Sequence, residues 1–187
     1  MSYPLLKTAA RAAAFVGLLL LSPGLAPAQN ADSSDINQLL NEIKTHAVLA
    51  EDDAQTLDAY TRSNTSTESH ADRLRQVKVH TNDLIEDFNR MKELRPFGSP
   101  WQQEAIDRIQ PLLQQMSSHL RATLNYYKEN RHLVQMPPYR SYIKSNRQYI
   151  TRATRLISDF VAYGQARADM DALGKSLPLP TPATEIP

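Results

Sequence analysis

The spacing of the apolar residues constrains this chain more than any other feature. Between Asp32 and Leu173 they recur three and four positions apart, and no stretch alternates with period two. A strand sends every second side chain to one face, a helix every third or fourth. The pattern therefore predicts helices and no sheet. In a first segment Ile36, Leu40, Ile43, Ala47, Ala50, Ala54 and Leu57 fall on one stripe. Ser33 and Ser34 can cap its start, and Ser63-Asn64-Thr65-Ser66 ends it. A second segment, from about Thr67 to Leu94, carries Leu74, Val77, Thr81, Leu84, Phe88 and Met91. It stops at Arg95-Pro96-Phe97-Gly98, where Pro96 lacks an amide hydrogen and Gly98 tolerates a helix-ending turn.

The third segment opens on the clearest local signal in the chain, Ser99-Pro100-Trp101-Gln102. Ser99 can cap, Pro100 suits the first helical position, and Gln102 completes a capping box. Its stripe is Ile106, Ile109, Leu113, Met116, Leu120, Leu124 and Tyr127, and Pro111 inside it predicts a kink. After Met136-Pro137-Pro138 a fourth segment runs from about Tyr139 to Leu173. Its stripe is Ile143, Asn146, Ile150, Ala153, Ile157, Phe160 and Gly164. Four helices of similar length joined by short breaks predict an all-α, antiparallel up-down-up-down four-helix bundle over residues 29–176. An extended helical hairpin assembling as a dimer shares the pattern, and the oligomeric state stays open.

Both ends of the chain read differently from the middle. Residues 1–28 have the form of a cleaved signal peptide: Lys7 and Arg11, then the apolar run Ala12 to Leu21, then Ala26-Pro27-Ala28. The chain is expected to be exported, to a periplasmic or extracellular location. No second long apolar run follows, so no transmembrane segment is expected in the mature chain. Residues 177–187 hold Pro178, Pro180, Pro182 and Pro187 and are expected to form a disordered, Pro-rich tail. Asn64-Thr65-Ser66 matches a glycosylation acceptor, relevant only in a eukaryotic secretory route.

Composition matters for chemistry chiefly through what is missing. The chain has no cysteine. That excludes a disulfide scaffold, a thiolate zinc site, covalently attached haem, a cysteine nucleophile and a lipid anchor on cysteine. The Gly-x-Ser-x-Gly elbow and the two-His metalloprotease helix are also absent. Ser141-Tyr142-Ile143-Lys144 fits the short Ser-x-x-Lys pattern of penicillin-recognising enzymes without their other motifs. No enzymatic activity is expected. Glu129-Asn130-Arg131-His132 is a single Glu-x-x-His unit, where a di-iron bundle needs two. The four-helix cytochromes that hold haem non-covalently resemble this architecture. They take a Met from the first helix and a His from the last, and this chain has neither. His46, His80 and His119 lie on the flanks of their stripes, where a histidine usually packs half-exposed. No cofactor and no metal is expected. A small-ligand, metal or haem bundle stays as an alternative, as does a periplasmic stress chaperone, although the Leu-Thr-x-x-Gln repeats of such chaperones are absent.

Charge is where the sequence is uneven. The formal net charge is +1, and removing the two basic residues of the export signal turns it to −1. Asp32, Asp35, Glu42, Glu51, Asp52, Asp53 and Asp58 oppose Lys44 alone in the first segment. In the fourth, no acidic residue occurs from Tyr139 to Ser158. Arg140, Lys144, Arg147 and Arg155 fall within an arc of roughly 80° at 100° per residue, opposite the apolar stripe. They are expected to face solvent, with Arg152 on a flank that can reach the first helix. Six tyrosines (Tyr126, Tyr127, Tyr139, Tyr142, Tyr149, Tyr163) gather between the end of the third helix and the body of the fourth. The expected function is non-enzymatic binding, scaffolding or envelope maintenance. Tyr139, Arg140, Tyr142, Lys144, Arg147 and Arg155 would meet an anionic envelope surface or an acidic protein partner. Nucleic acid is not an expected partner of an exported domain that is not basic overall.

Overall fold

The computed structural model describes residues 31–177. Among them are four α-helices: α1 (Ser34–Tyr60), α2 (Thr67–Glu93), α3 (Pro100–Glu129) and α4 (Pro137–Ser176). Short 3-10 turns at Arg95–Phe97 and Arg131–Leu133 join α2 to α3 and α3 to α4, and no strand occurs among the described residues. The expected export signal, residues 1–28, lies outside the described residues, as does the expected tail beyond Leu177. No helix among the described residues is long and apolar enough to cross a membrane.

The helix ends follow from their capping side chains. The Ser33 hydroxyl accepts from the Ile36 amide at 3.4 Å, and the Ser66 hydroxyl from the Ser69 amide at 3.2 Å. Gln102 does more than close the first turn of α3. Its Oε1 accepts from the amides of Ser99 (3.0 Å) and Ser33 (2.9 Å). Its Nε2 donates to the Ser33 carbonyl and to Asn37 Oδ1, both at 2.9 Å. The side chain is fully buried, and all four bonds run to the starts of α1 and α3. Losing it would orphan buried backbone groups on both helices.

The stripes of spaced apolar residues become the core. Every stripe residue named for α1 and α2 is buried, as are Ile106, Ile109, Leu113, Met116 and Leu120 of α3. Helix α3 continues through Pro111. In α4 the buried face is Tyr139, Ile143, Asn146, Ile150, Ala153, Thr154, Ile157 and Val161. The polar members bond within the core: Asn146 Nδ2 donates to Thr123 Oγ1 at 2.6 Å, and Thr154 Oγ1 donates to the Ala47 carbonyl at 3.1 Å.

Helix α1 packs against α2 and α4, α4 packs also against α3, and α2 meets α3 only lightly. Along α1 the contacts with α4 fall in number as those of α4 rise: Asp58 with Arg147, Glu51 with Thr151, Ala47 with Thr154, Asp32 with Arg167. The light α2–α3 seam leaves a groove of about 280 Å³, lined by Ile85, Phe88, Lys92, Leu113, Ser117 and Arg121 among others. Trp101 locks α3 to α4. Its Nε1 donates to Asp32 Oδ1 at 2.7 Å, and its ring meets Tyr163 edge-on at 5.3 Å. The ring lies so close to Gly164 that a Cβ there would stand 2.7 Å from Trp101 Cη2. Helix α4, at 40 residues, outruns α1 and α2 at 27 each, and its residues 165–176 are exposed throughout.

Candidate functional site

The outer face of α4 begins with a correction. Tyr139, expected at the binding surface, is completely buried. Helix α4 starts at Pro137, so Tyr139 is already helical and stands four residues before Ile143, on the core stripe. Tyr142 is half-buried and leans on Tyr126, with ring centroids 4.9 Å apart. Arg140, Lys144 and Arg155 are exposed, as expected. Arg147 is not a solvent-facing residue: its Nε lies 3.3 Å from Asp58 Oδ2 on α1. Arg152, expected to reach α1, instead covers the Tyr149 ring of its own helix at 4.6 Å. The difference is one of reach. Arg147 follows the buried Asn146 by one position and folds back over the α1–α4 boundary, whereas Tyr149 offers Arg152 a nearer surface.

Of the acidic residues in and just before α1, Asp32, Glu42, Asp53 and Asp58 have basic partners, while Asp35, Glu51 and Asp52 have none among the described residues. Buried Asp53 pairs with Arg73 of α2. That bond holds the Arg73 guanidinium above its ordinary pKa. Buried Asp58 pairs with Arg62 at 2.7 Å as well as with Arg147. Glu42 meets Arg90 of α2 at 3.8 Å, and Asp32 meets Arg167 at 3.6 Å. The outer face of α4 carries unpaired cations. Arg140, Lys144 and Arg155 have no acidic partner among the described residues; Arg140 makes only a long bond, 3.5 Å, to the Gln135 carbonyl. From Arg140 to Arg155 the helix rises about 22 Å.

Four of the six tyrosines, Tyr126, Tyr127, Tyr139 and Tyr142, gather at one end as a seal, whereas Tyr149 packs on His119 and Tyr163 on Trp101 at the start of α3. Tyr139 contacts Tyr127 at 6.1 Å between centroids and His70 at 5.5 Å, and Tyr60 meets the other side of His70 at 5.7 Å. His70 is fully buried with neither ring nitrogen hydrogen-bonded. Burial lowers its pKa, and the nearby Tyr60 backbone opposes that shift. Burial also raises the Tyr139 phenol far above its ordinary value, and its hydroxyl has no partner. The Tyr127 hydroxyl donates to the Thr67 carbonyl at 3.2 Å, tying α3 to the start of α2.

A third grouping escaped the sequence. His46 of α1 and His80 of α2 lie with their rings 6.3 Å apart and 29° from parallel. Asp83, Asp87 and Asp53 surround them. Each histidine alone reads as a flank residue. The available signal was their placement at nearly equal distances in sequence from the turn at residues 61–66, which sets them opposite one another in a hairpin of helices.

No family model, no curated protein and no solved structure matches this chain.

Proposed function

We propose that this chain is an exported, non-enzymatic binding protein, an antiparallel up-down-up-down bundle that attaches to anionic lipid surfaces through Arg140, Lys144 and Arg155 of α4. The carrying observation is the uncompensated charge: all three cations are exposed and without acidic partners on a helix with no acidic residue before Asp159, while Asp53 and Asp58 of α1 are paired within the fold. The descending order of α1–α4 contacts supports the antiparallel arrangement. Export rests on the character of residues 1–28.

The stripe favours a lipid surface over an acidic protein for a physical reason. Specific protein interfaces are anchored by aromatic side chains that enter a partner's pocket. Here Tyr139 is withdrawn into the core and Tyr142 is half covered. A row of separate cations without anchors suits a diffuse array of phosphates. Each basic residue near such a surface contributes about 1 kcal/mol. Three give weak, salt-sensitive attachment.

The test is co-sedimentation of mature protein with phosphatidylglycerol vesicles and with phosphatidylcholine vesicles. Binding is expected only to the anionic vesicles at low salt. It should vanish near 1 M salt, where the screening length is about 3 Å. The triple variant Arg140→Gln, Lys144→Gln, Arg155→Gln should not bind. Equal binding to neutral vesicles, or an undiminished triple variant, would reject this surface. Failure to bind any vesicle, with salt-sensitive capture of an acidic protein, would transfer the stripe to that partner.

A further inference from the structure

The geometry points to a site for one divalent transition-metal ion of the zinc class, held by His46 of α1 with His80 and Asp83 of α2. Each of these residues offers one ligand atom, and the three atoms lie within 4.8 Å of one another. His46 Nδ1 stands 3.9 Å from Asp83 Oδ2. A tetrahedral site with bonds of about 2.0–2.1 Å needs ligand atoms about 3.4 Å apart. The contraction required is therefore at most about 1.4 Å, within the reach of rotamer adjustment shared by three half-buried side chains.

Proximity alone would be weak, because histidines and carboxylates meet on many helix surfaces. The decisive feature is what the four ring nitrogens do. The Nδ1 atoms of His46 and His80 are both buried, and neither has a hydrogen-bond partner. A buried polar atom left unpaired is costly, and a metal bond would satisfy it. The opposite nitrogens both face carboxylates: His46 Nε2 is 3.6 Å from Asp87 Oδ2, and His80 Nε2 is 3.6 Å from Asp53 Oδ2. Metal-bound histidines characteristically donate their other N–H to a carboxylate, which fixes the tautomer and strengthens the ligand. Here a carboxylate outer ring stands beside both histidines, just beyond hydrogen-bond distance. It is itself braced, because Asp53 is paired with Arg73, and Asp87 with Arg90 at 3.0 Å.

Charge supports a cation at this place. Arg73 pairs with Asp53, and Arg90 is shared between Asp87 and Glu42, whereas Asp83 has no basic partner among the described residues except His46. With neutral imidazoles the cluster therefore carries at least one uncompensated negative charge. Two imidazoles with one carboxylate suit zinc, copper or nickel; calcium and magnesium prefer all-oxygen shells. Three protein ligands leave a fourth position for water, and Asp83 is the solvent-facing side, with 43% of its side chain exposed. The absence of cysteine does not bear on this set, which uses nitrogen and oxygen only.

The experiment uses the untagged mature protein, stripped with a chelator and dialysed. Zinc added alone, followed by calorimetry, should saturate at one ion per chain and raise the melting temperature. Calcium and magnesium at the same concentration should do neither. Cobalt in place of zinc should give the intense visible band of a low-coordinate ion. That reading needs no variant, and so stands even if substitutions disturb the fold. His46→Gln and His80→Gln should each abolish the one-ion saturation, and Asp87→Asn should weaken it about 10–100-fold. His132→Gln, on the 3-10 turn before α4, should change nothing. A cobalt spectrum no different from the aqueous ion would overturn the site. So would zinc affinity unchanged in the His46→Gln, His80→Gln double variant.

Discussion

His70 occupies the centre of the aromatic end with no hydrogen bond to either nitrogen. Its burial disfavours the charged ring, so its pKa in the folded chain lies below the ordinary 6.5. The sign follows. In the window below 6.5 the unfolded chain binds a proton that the folded chain refuses. This contribution to stability is complete above pH 6.5 and is lost as pH falls from there towards the folded value. In urea unfolding, the midpoint of the native protein should drop between pH 7 and pH 5 by more than that of His70→Leu; parallel curves would show that His70 does not titrate on unfolding. Tyr139, beside it, illustrates what single-residue reading can miss. Its residue type and its basic neighbour Arg140 suggest a surface. The decisive fact is the four-residue step to Ile143, which puts it on the core stripe once α4 begins at Pro137. Arg147 and Arg152 exchanged their expected roles because helical angle fixes where a side chain starts, and not where a long flexible one ends.

At the level of the helices, periodicity was a reliable guide, and the bounds of α1, α2 and α3 agree with their caps and breakers to within a few residues. The capping box of α3 was legible in Ser99 and Gln102. That Gln102 also binds Ser33 and Asn37 was not, since nothing local relates residues 69 and 65 positions apart. Gly164 was legible only as a member of a stripe. Its reason is the Trp101 ring. In an open helical position, replacing Gly with Ala stabilises by up to about 1 kcal/mol. Gly174, with nothing within 4 Å, should behave so. Gly164→Ala should reverse the sign and destabilise by about 1–3 kcal/mol, as overfilled contacts do. Trp101 is the only tryptophan, so its emission reports this contact directly. A stabilised Gly164→Ala with unshifted emission would mean that the α3–α4 contact is slack.

The four-helix architecture follows from the sequence pattern, but the unequal seams do not. Stripes show which face of a helix is covered, without saying how deeply neighbours interlock. The light α2–α3 contact and the pairing of His46 with His80 are properties of the assembled helices. The same holds for the reach of α4. Periodicity continues to Leu173, yet from Gln165 onward every described residue is exposed, Met170 and Leu173 at 72% and 58%. A chain ended after Arg167 should keep its helical bundle, with the melting temperature moved by less than about 4 °C. A larger fall, read by circular dichroism, would mean that the projecting turns are held by something other than the described residues.

The seating of α1 between α2 and α4 has a temporal side. The helix made first has one neighbour that follows at once and another that comes last. Thr154 reaches back 107 residues to Ala47, and Thr151 reaches back 100 to Glu51. At about 5–20 residues per second, a ribosome needs about 5–20 s to span that interval. Until α4 has followed, at the ribosome or across a membrane, the α4-facing flank of α1 lacks its partner.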